Sequence, residues 1–375
     1  MKIFLILFLT TTLFYSCTNY KKEIIGQWIE RNDFKSPRIL EFSKDYFTKP
    51  HNDNDFIKFP YYTPTQYLYK IREDTILYCD YFKIFKYKLT INNNILVLPS
   101  EGLDTTTIVY NKNTYKNYID YVNNRLNLSI HLPKGSFYAL NWTYNSNSFY
   151  IDVDNHNHLR YLLNGKPISI DPNLHKKIFY KYGREVICFA DNNVLVKDLN
   201  PLKVEISKAM YSIAYFALID GDSLSMLPLV MPRVKYDMPD SLSKLMPPRP
   251  AIDISFFRNK PFILCEVYSK TLKVNGLEKT YEYFIQALKD KIFSKKNISL
   301  FLYYDENLTL GECVNFAIKL SHSIDSIRNS ILEIKYNHKT YWQLSDEEKK
   351  EYNNSYNVYF NEILNDNLRE MYKYL

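Results

Sequence analysis

The chain has 375 residues with 48 Lys and Arg against 41 Asp and Glu, a length beyond what one hydrophobic core usually organises, so two or three domains are expected. Its +7 charge is scattered along the chain, with no basic stripe, and no nucleic-acid partner is expected. The 8 glycines never come closer than 18 positions, which excludes a Walker loop, a dinucleotide fingerprint and a nucleophile elbow; no cofactor is expected.

In chain order, residues 1–16 read as a signal peptide: Met1-Lys2, an apolar run from Ile3 to Phe14 broken only by Thr10 to Thr12, then Tyr15-Ser16. As a helix the run would reach roughly 18 Å against a hydrocarbon core of about 30 Å, too short to span. Leu13-Phe14-Tyr15-Ser16-Cys17 resembles the bacterial lipobox, although Phe14 and Tyr15 depart from its usual Leu and small residue. The resemblance implies that the Cys17 thiol takes a diacylglycerol and becomes the new N-terminus. Each acyl methylene is worth about 0.8 kcal/mol, so two or more chains anchor stably. Residues 17–23 then form a lipidated linker, and the protein is expected in the cell envelope, on the periplasmic side of the outer membrane. The four other cysteines, Cys79, Cys188, Cys265 and Cys313, contain no CxxC pair, against a redox motif or zinc ribbon.

Residues 24–112 show short alternating strands, among them Arg38 to Phe42, Tyr67 to Arg72, Tyr87 to Ile91 and Ile95 to Leu98. The opening Gly26-Gln27-Trp28 and the following Ile39 to Asp45 resemble the lipocalin-like domains of bacterial lipoproteins. That resemblance implies an antiparallel barrel or sheet with Trp28 plugging one end. The Asn-rich residues 113–135 predict a connector or an extra hairpin.

Residues 136–222 and 251–344 carry a repeat. Val186 to Leu195 aligns with Leu300 to Thr309, bringing Asp191 onto Asp305, an offset of 114 (191 to 305). The same offset pairs Leu202 with Phe316, Ile206 with Leu320 and Met210 with Ile324, steps of three and four that place an apolar helix stripe after each strand. Upstream, Asn164-Gly165 matches Asn275-Gly276. Each copy reads strand, strand, helix, strand, helix, strand. Between them residues 223–250 hold six of the chain's 16 prolines and predict an extended linker. Residues 345–375 open on a capping box at Ser345 and predict a helical tail with a stripe through Phe360, Leu364, Leu368, Met371 and Leu375.

Phe149 to Asp154, Tyr161 to Ser169 and Val186 to Asp191 resemble the periplasmic domain of the ExbD/TolR biopolymer-transport family, with its Asn-Gly-Lys-Pro strand and its strand ending in Ala-Asp before a helix. The fold expected is therefore multidomain: a lipocalin-like β domain, then two α+β domains of one sheet and two helices each. In that family a membrane helix with a buried acid drives proton coupling. Here Ile3 to Phe14 carries no acid, and proton-driven transduction is excluded. The resemblance implies an envelope module able to meet peptidoglycan or envelope proteins and assigns no binding residue.

No catalytic constellation is apparent, and an enzyme is not expected. Asp152, Asp154, His156 and His158 alternate and on one strand could face a metal ion, but Asp154-Asn155-His156-Asn157 also reads as a hairpin turn, the preferred reading, so no metal is expected. Asp191 and Asp305 could be catalytic carboxylates; recurring in both copies, they read as turn and cap residues. Cys188 and Cys313 pair with Leu302 and Leu199 in the repeat and read as small buried hydrophobes. The function expected is a non-catalytic binding or scaffolding lipoprotein held to the membrane through Cys17. The alternative is a carrier of a small apolar ligand in residues 24–112.

Overall fold

The computed structural model describes residues 20–31, 34, 39–44, 46–49, 65–72, 75–80, 83–88, 90–92, 94–99, 107–139, 147–154, 158–178, 185–209, 211, 213–221, 223–232, 262–294, 298–364 and 368. The chain is multidomain and mostly β-sheet with helices. It divides into two compact units, Met1–Asn124 with Ala139–Tyr144, and Arg125–Tyr138 with Asn145–Leu375. Among the described residues no helix is long and apolar enough to cross a membrane.

In the first unit, α1 (Tyr20–Glu23) precedes an antiparallel meander of β1 (Gly26–Glu30), β2 (Ile39–Phe42), β3 (Tyr46–Lys49), β4 (Thr65–Arg72), β5 (Thr75–Asp80), β6 (Lys83–Lys88), β7 (Thr90–Asn92), β8 (Ile95–Pro99) and β9 (Thr107–Lys112). The spatial order is β6-β5-β4-β3-β2-β1-β9-β8-β7, and no ladder among the described residues joins β6 to β7 into a closed barrel. Alternate side chains face one core, as strand geometry requires: Trp28, Leu40 and Phe42, Tyr69, Ile76, Leu96 and Tyr110. Trp28 is fully buried, and its indole N–H donates to the Ile24 carbonyl at 2.7 Å, which offsets the cost of burying that donor.

Residues 113–135 form a helix, α2 (Tyr118–Leu126), in place of the extra hairpin, and the boundary between the two units falls within them. Asn117 starts it by accepting the Asp120 N–H at 3.0 Å, and Tyr118, Ile119, Tyr121 and Val122 give it a buried face. The Asn-rich composition that suggested a turn supplies the helix cap instead.

The second unit holds both copies of the repeat. The first comprises β10 (Tyr138–Ala139), β11 (Asn147–Val153), β12 (Leu159–Leu163), β13 (Lys166–Ile168), α3 (Leu174–Ile178), β14 (Val186–Ala190), α4 (Val196–Lys208), β15 (Ile213–Asp220) and β16 (Ser223–Val230), in sheet order β10-β16-β15-β14-β11-β12-β13. The second comprises β17 (Phe262–Val267), β18 (Leu272–Val274), β19 (Leu277–Lys279), α5 (Tyr281–Phe293), β20 (Ile298–Tyr304), α6 (Leu310–Lys335), α7 (Asp346–Ser355) and β21 (Val358–Glu362), in order β19-β18-β17-β20-β21. In each copy the most buried strand, β14 or β20, lies between two parallel neighbours and is sealed along its whole length. A continuous apolar run is the pattern such a central parallel strand demands.

Two further expectations are corrected. The segment 223–250 does not begin as an extended linker, because Ser223 to Val230 pairs in full with β15. Pro228 is tolerated there opposite Tyr215, on a strand whose other neighbour among the described residues is the two-residue β10. Residues 233–250 lie outside the described residues. The tail from Ser345 is not one helix: the capping box forms, with Ser345 accepting the Glu348 N–H at 3.2 Å, but α7 ends at Ser355 and Val358 to Glu362 becomes a strand on β20. Val358, Tyr359 and Phe360 are strand formers, and pairing the free edge of β20 satisfies more backbone groups than another helical turn would.

Candidate functional site

The residues singled out in the sequence hold turns. Asn164 and Asn275 take left-handed backbone angles, φ 52° and 51°, each followed by a glycine at φ 78° and 80°. Such angles suit an Asn-Gly hairpin. Each Asn side chain also reaches across to a neighbouring strand: Ser148 N–H donates to Asn164 Oδ1, and Leu264 N–H to Asn275 Oδ1, both at 2.9 Å. Asp191 accepts the Asn193 N–H at 2.8 Å and Asp305 the Asn307 N–H at 3.0 Å, so both carboxylates close the turn between strand and helix. Asp191 accepts in addition from the His131 N–H at 2.7 Å. Cys17 lies outside the described residues.

Asp152 has partners of its own. It is fully buried and held by Arg160, whose Nε donates at 2.9 Å, and by the Ser129 N–H at 3.0 Å. That hydrogen bond holds the guanidinium above its ordinary pKa. Asp154 and His158 bracket the hairpin, His158 N–H donating to Asp154 Oδ1 at 2.8 Å; His156 lies outside the described residues. Cys188 and Cys313 are buried, and desolvation pushes both thiols up to about 12, away from the thiolate a nucleophile needs.

What the sequence did not announce is how the two copies meet. Leu195 and Thr309 form an antiparallel bridge, flanked by Val196 N–H to the Leu308 carbonyl at 2.9 Å and Leu310 N–H to the Val194 carbonyl at 2.7 Å. The next pair outward is Lys197 N–H to Glu306 at 3.1 Å and Gly311 N–H to Asn192 at 3.0 Å. Every bond maps onto its counterpart by the same shift of 114, so the contact is isologous, as across a two-fold axis. The cores interlock as well: Val196 packs into the core of the second copy, while Leu310 and Val314 pack into that of the first. Beside this junction Lys203 donates to Glu362 at 2.6 Å, with 4% and 6% of the side chains exposed.

No family model, curated protein or solved structure matches the chain.

One signal in the sequence could have found the buried pair: Lys203 stands on the stripe Leu199, Leu202, Ile206, where every other position is apolar and buried. Away from the junction, the second copy carries a groove of about 670 Å3 between the β17–β18 turn, the start of α5 and α6. Tyr268, Tyr281 and Phe316 give it aromatic walls and Lys270, Lys279 and Lys319 its cations. Lys319 Nζ lies 3.7 Å from the centre of the Tyr281 ring, a cation–π contact that fixes the ammonium at the wall. The sequence hid this site because its residues are scattered between Val267 and Lys319, where the lysines read as ordinary surface and Phe316 as part of a core stripe.

Proposed function

We propose that the protein is a non-catalytic cell-envelope lipoprotein, anchored through Cys17, with a lipocalin-like first domain and two α+β domains of ExbD/TolR-like kind acting as one binding or scaffolding module. The observation that carries this reading is the isologous junction around Leu195 and Thr309. Two copies fused through interlocked cores hold their outer faces at a fixed separation, and a partner that engages one face meets the other at high effective concentration. The carboxylates and thiols a hydrolase would draw on support the same reading: Asp191 and Asp305 are spent on turns, and Cys188 and Cys313 on packing. In the first unit the inward side chains pack against one another around Trp28, which favours a structural domain over a carrier of an apolar ligand.

The test uses the full chain in intact envelopes. Labelling with an alkyne fatty acid should mark the wild type and not Cys17→Ala, and chemical crosslinking should join the wild type to peptidoglycan fragments or an envelope protein. A Cys17→Ala chain that stays on the membrane after a salt wash would remove the anchor. A wild type that crosslinks to nothing would remove the scaffolding role.

A further inference from the structure

We infer that the groove of the second copy receives an oxyanion, a carboxylate or phosphate, carried on a planar ring. Three lysines, Lys270, Lys279 and Lys319, border it; its lining holds one carboxylate, Glu278, with Glu282 near Lys319, and among the described residues none of the three lysines forms a salt bridge. The Tyr283 N–H at the start of α5 is already engaged by Thr280 Oγ1 at 3.2 Å, and the anion recognition rests on the ammoniums. The aromatic walls supply flat apolar surface beside the charge, the combination that orients an amphiphilic ring. A volume of about 670 Å3 falls within the range of small-molecule sites.

Comparison between the copies sharpens the assignment. The residue of the first copy equivalent to Lys319 is Glu205, and it is consumed internally: buried, 2.8 Å from His175 Nδ1 and 2.7 Å from Lys208 Nζ. The Asp191 and Asp305 N–H groups donate equivalent backbone bonds to the Ile151 and Val267 carbonyls, which makes Asp152 the counterpart of Tyr268, and Asp152 is closed off by Arg160. The first copy thus turns a charge inward at both positions, where the second presents an exposed cation, Lys319, and an aromatic wall, Tyr268. One copy serves as framework and the other as receptor.

This inference rests on reading the tandem pair as a binding module. Envelope crosslinking reports on that reading and calorimetry on the groove, so the two fail separately. The full chain is titrated at low ionic strength with phenyl phosphate, benzoate, inorganic phosphate and benzyl alcohol. The two ring-bearing anions should bind saturably and at least about tenfold more tightly than the uncharged alcohol, as expected for a charge-assisted hydrogen bond. Inorganic phosphate should be weaker than phenyl phosphate, and the order of phenyl phosphate and benzoate distinguishes a phosphate from a carboxylate ligand. Lys319→Glu, which installs the first copy's residue, and Lys270→Gln should each lose at least about tenfold in affinity for both anions. Lys319 and Lys270 are exposed, so both variants should fold. Failure of both anions to saturate the wild type, or undiminished binding by both variants, would overturn the inference.

Discussion

Leu195 and Thr309 face each other across the junction of the two copies, and each is the residue immediately before the helix that follows its central strand. Both have extended backbone, with ψ 150° and 157°, so the residues on either side of each, Val194 and Val196 with Leu308 and Leu310, exchange the bridging bonds while the helix starts one residue later. Thr309 completes a capping box with Glu312, whereas Leu195 makes no side-chain cap. The junction therefore uses the one backbone position in each copy where strand and helix geometry hand over.

Gly311 approaches the other copy so closely that an added Cβ would lie 2.0 Å from Asn192 Oδ1. Gly311→Ala should therefore lower stability by about 1–3 kcal/mol, as overpacking does. In an Asn192→Ala background the clash is gone, and the same change should stabilise by up to about 1 kcal/mol through helix propensity alone. Urea denaturation of the four chains tests the sign reversal.

Lys203→Met should cost about 3–5 kcal/mol, because it leaves the Glu362 carboxylate buried without a cation. The double variant Lys203→Met, Glu362→Leu should recover most of that loss, since neither charge then needs solvation. Equal losses for the single and double variants in chemical denaturation would contradict the buried pair.

Glu185 sets a pH dependence of its own. Burial pushes its carboxyl up to about 7, and Oε2 has no hydrogen-bond partner among the described residues. The folded state then holds the proton more tightly than the unfolded chain, whose carboxyl titrates near about 4.3. The stability from this group is fully present below that pH and is lost as pH rises through about 7. Glu185→Gln should remove this falling limb and raise stability by about 1–3 kcal/mol at pH 8, read from melting curves between pH 4 and 8.

Asn275→Ala should cost more than Asn275→Gly. Alanine pays for the left-handed backbone, about 1–2 kcal/mol, and also leaves the Leu264 N–H without its acceptor. Glycine pays only the second cost. Asn164→Ala and Asn164→Gly should show the same order through the Ser148 N–H, and thermal unfolding of all four variants checks it.

The repeat could be read from the sequence because it is written in local chemistry. Asp191 and Asp305 must close a turn, Asn164 and Asn275 must take left-handed angles, and the apolar steps after each strand must face a core. What such patterns encode is burial, not the identity of the covering surface. The apolar character of Leu310 and Val314 was legible, yet nothing in their spacing said that they fill the first copy's core. The same limit explains β16 and β21. Proline density in one case, and a helical spacing of apolar residues in the other, were outweighed by vacant sheet edges that exist once the chain has folded. The groove was least legible of all, since a lysine on a helix exterior looks identical whether or not a turn from elsewhere in the chain stands opposite it.

The bond between Lys203 and Glu362 also imposes a schedule on synthesis. The partners are 159 positions apart, so at ordinary elongation rates the lysine emerges roughly ten to thirty seconds before the glutamate exists. During that interval its ammonium keeps its water, and the surface of α4 that carries it resists dehydration. The first copy can form its sheet early, but the flank bearing Lys203 stays wet until β21 has been made. Closure of that flank is thereby tied to the arrival of the second copy's edge strand.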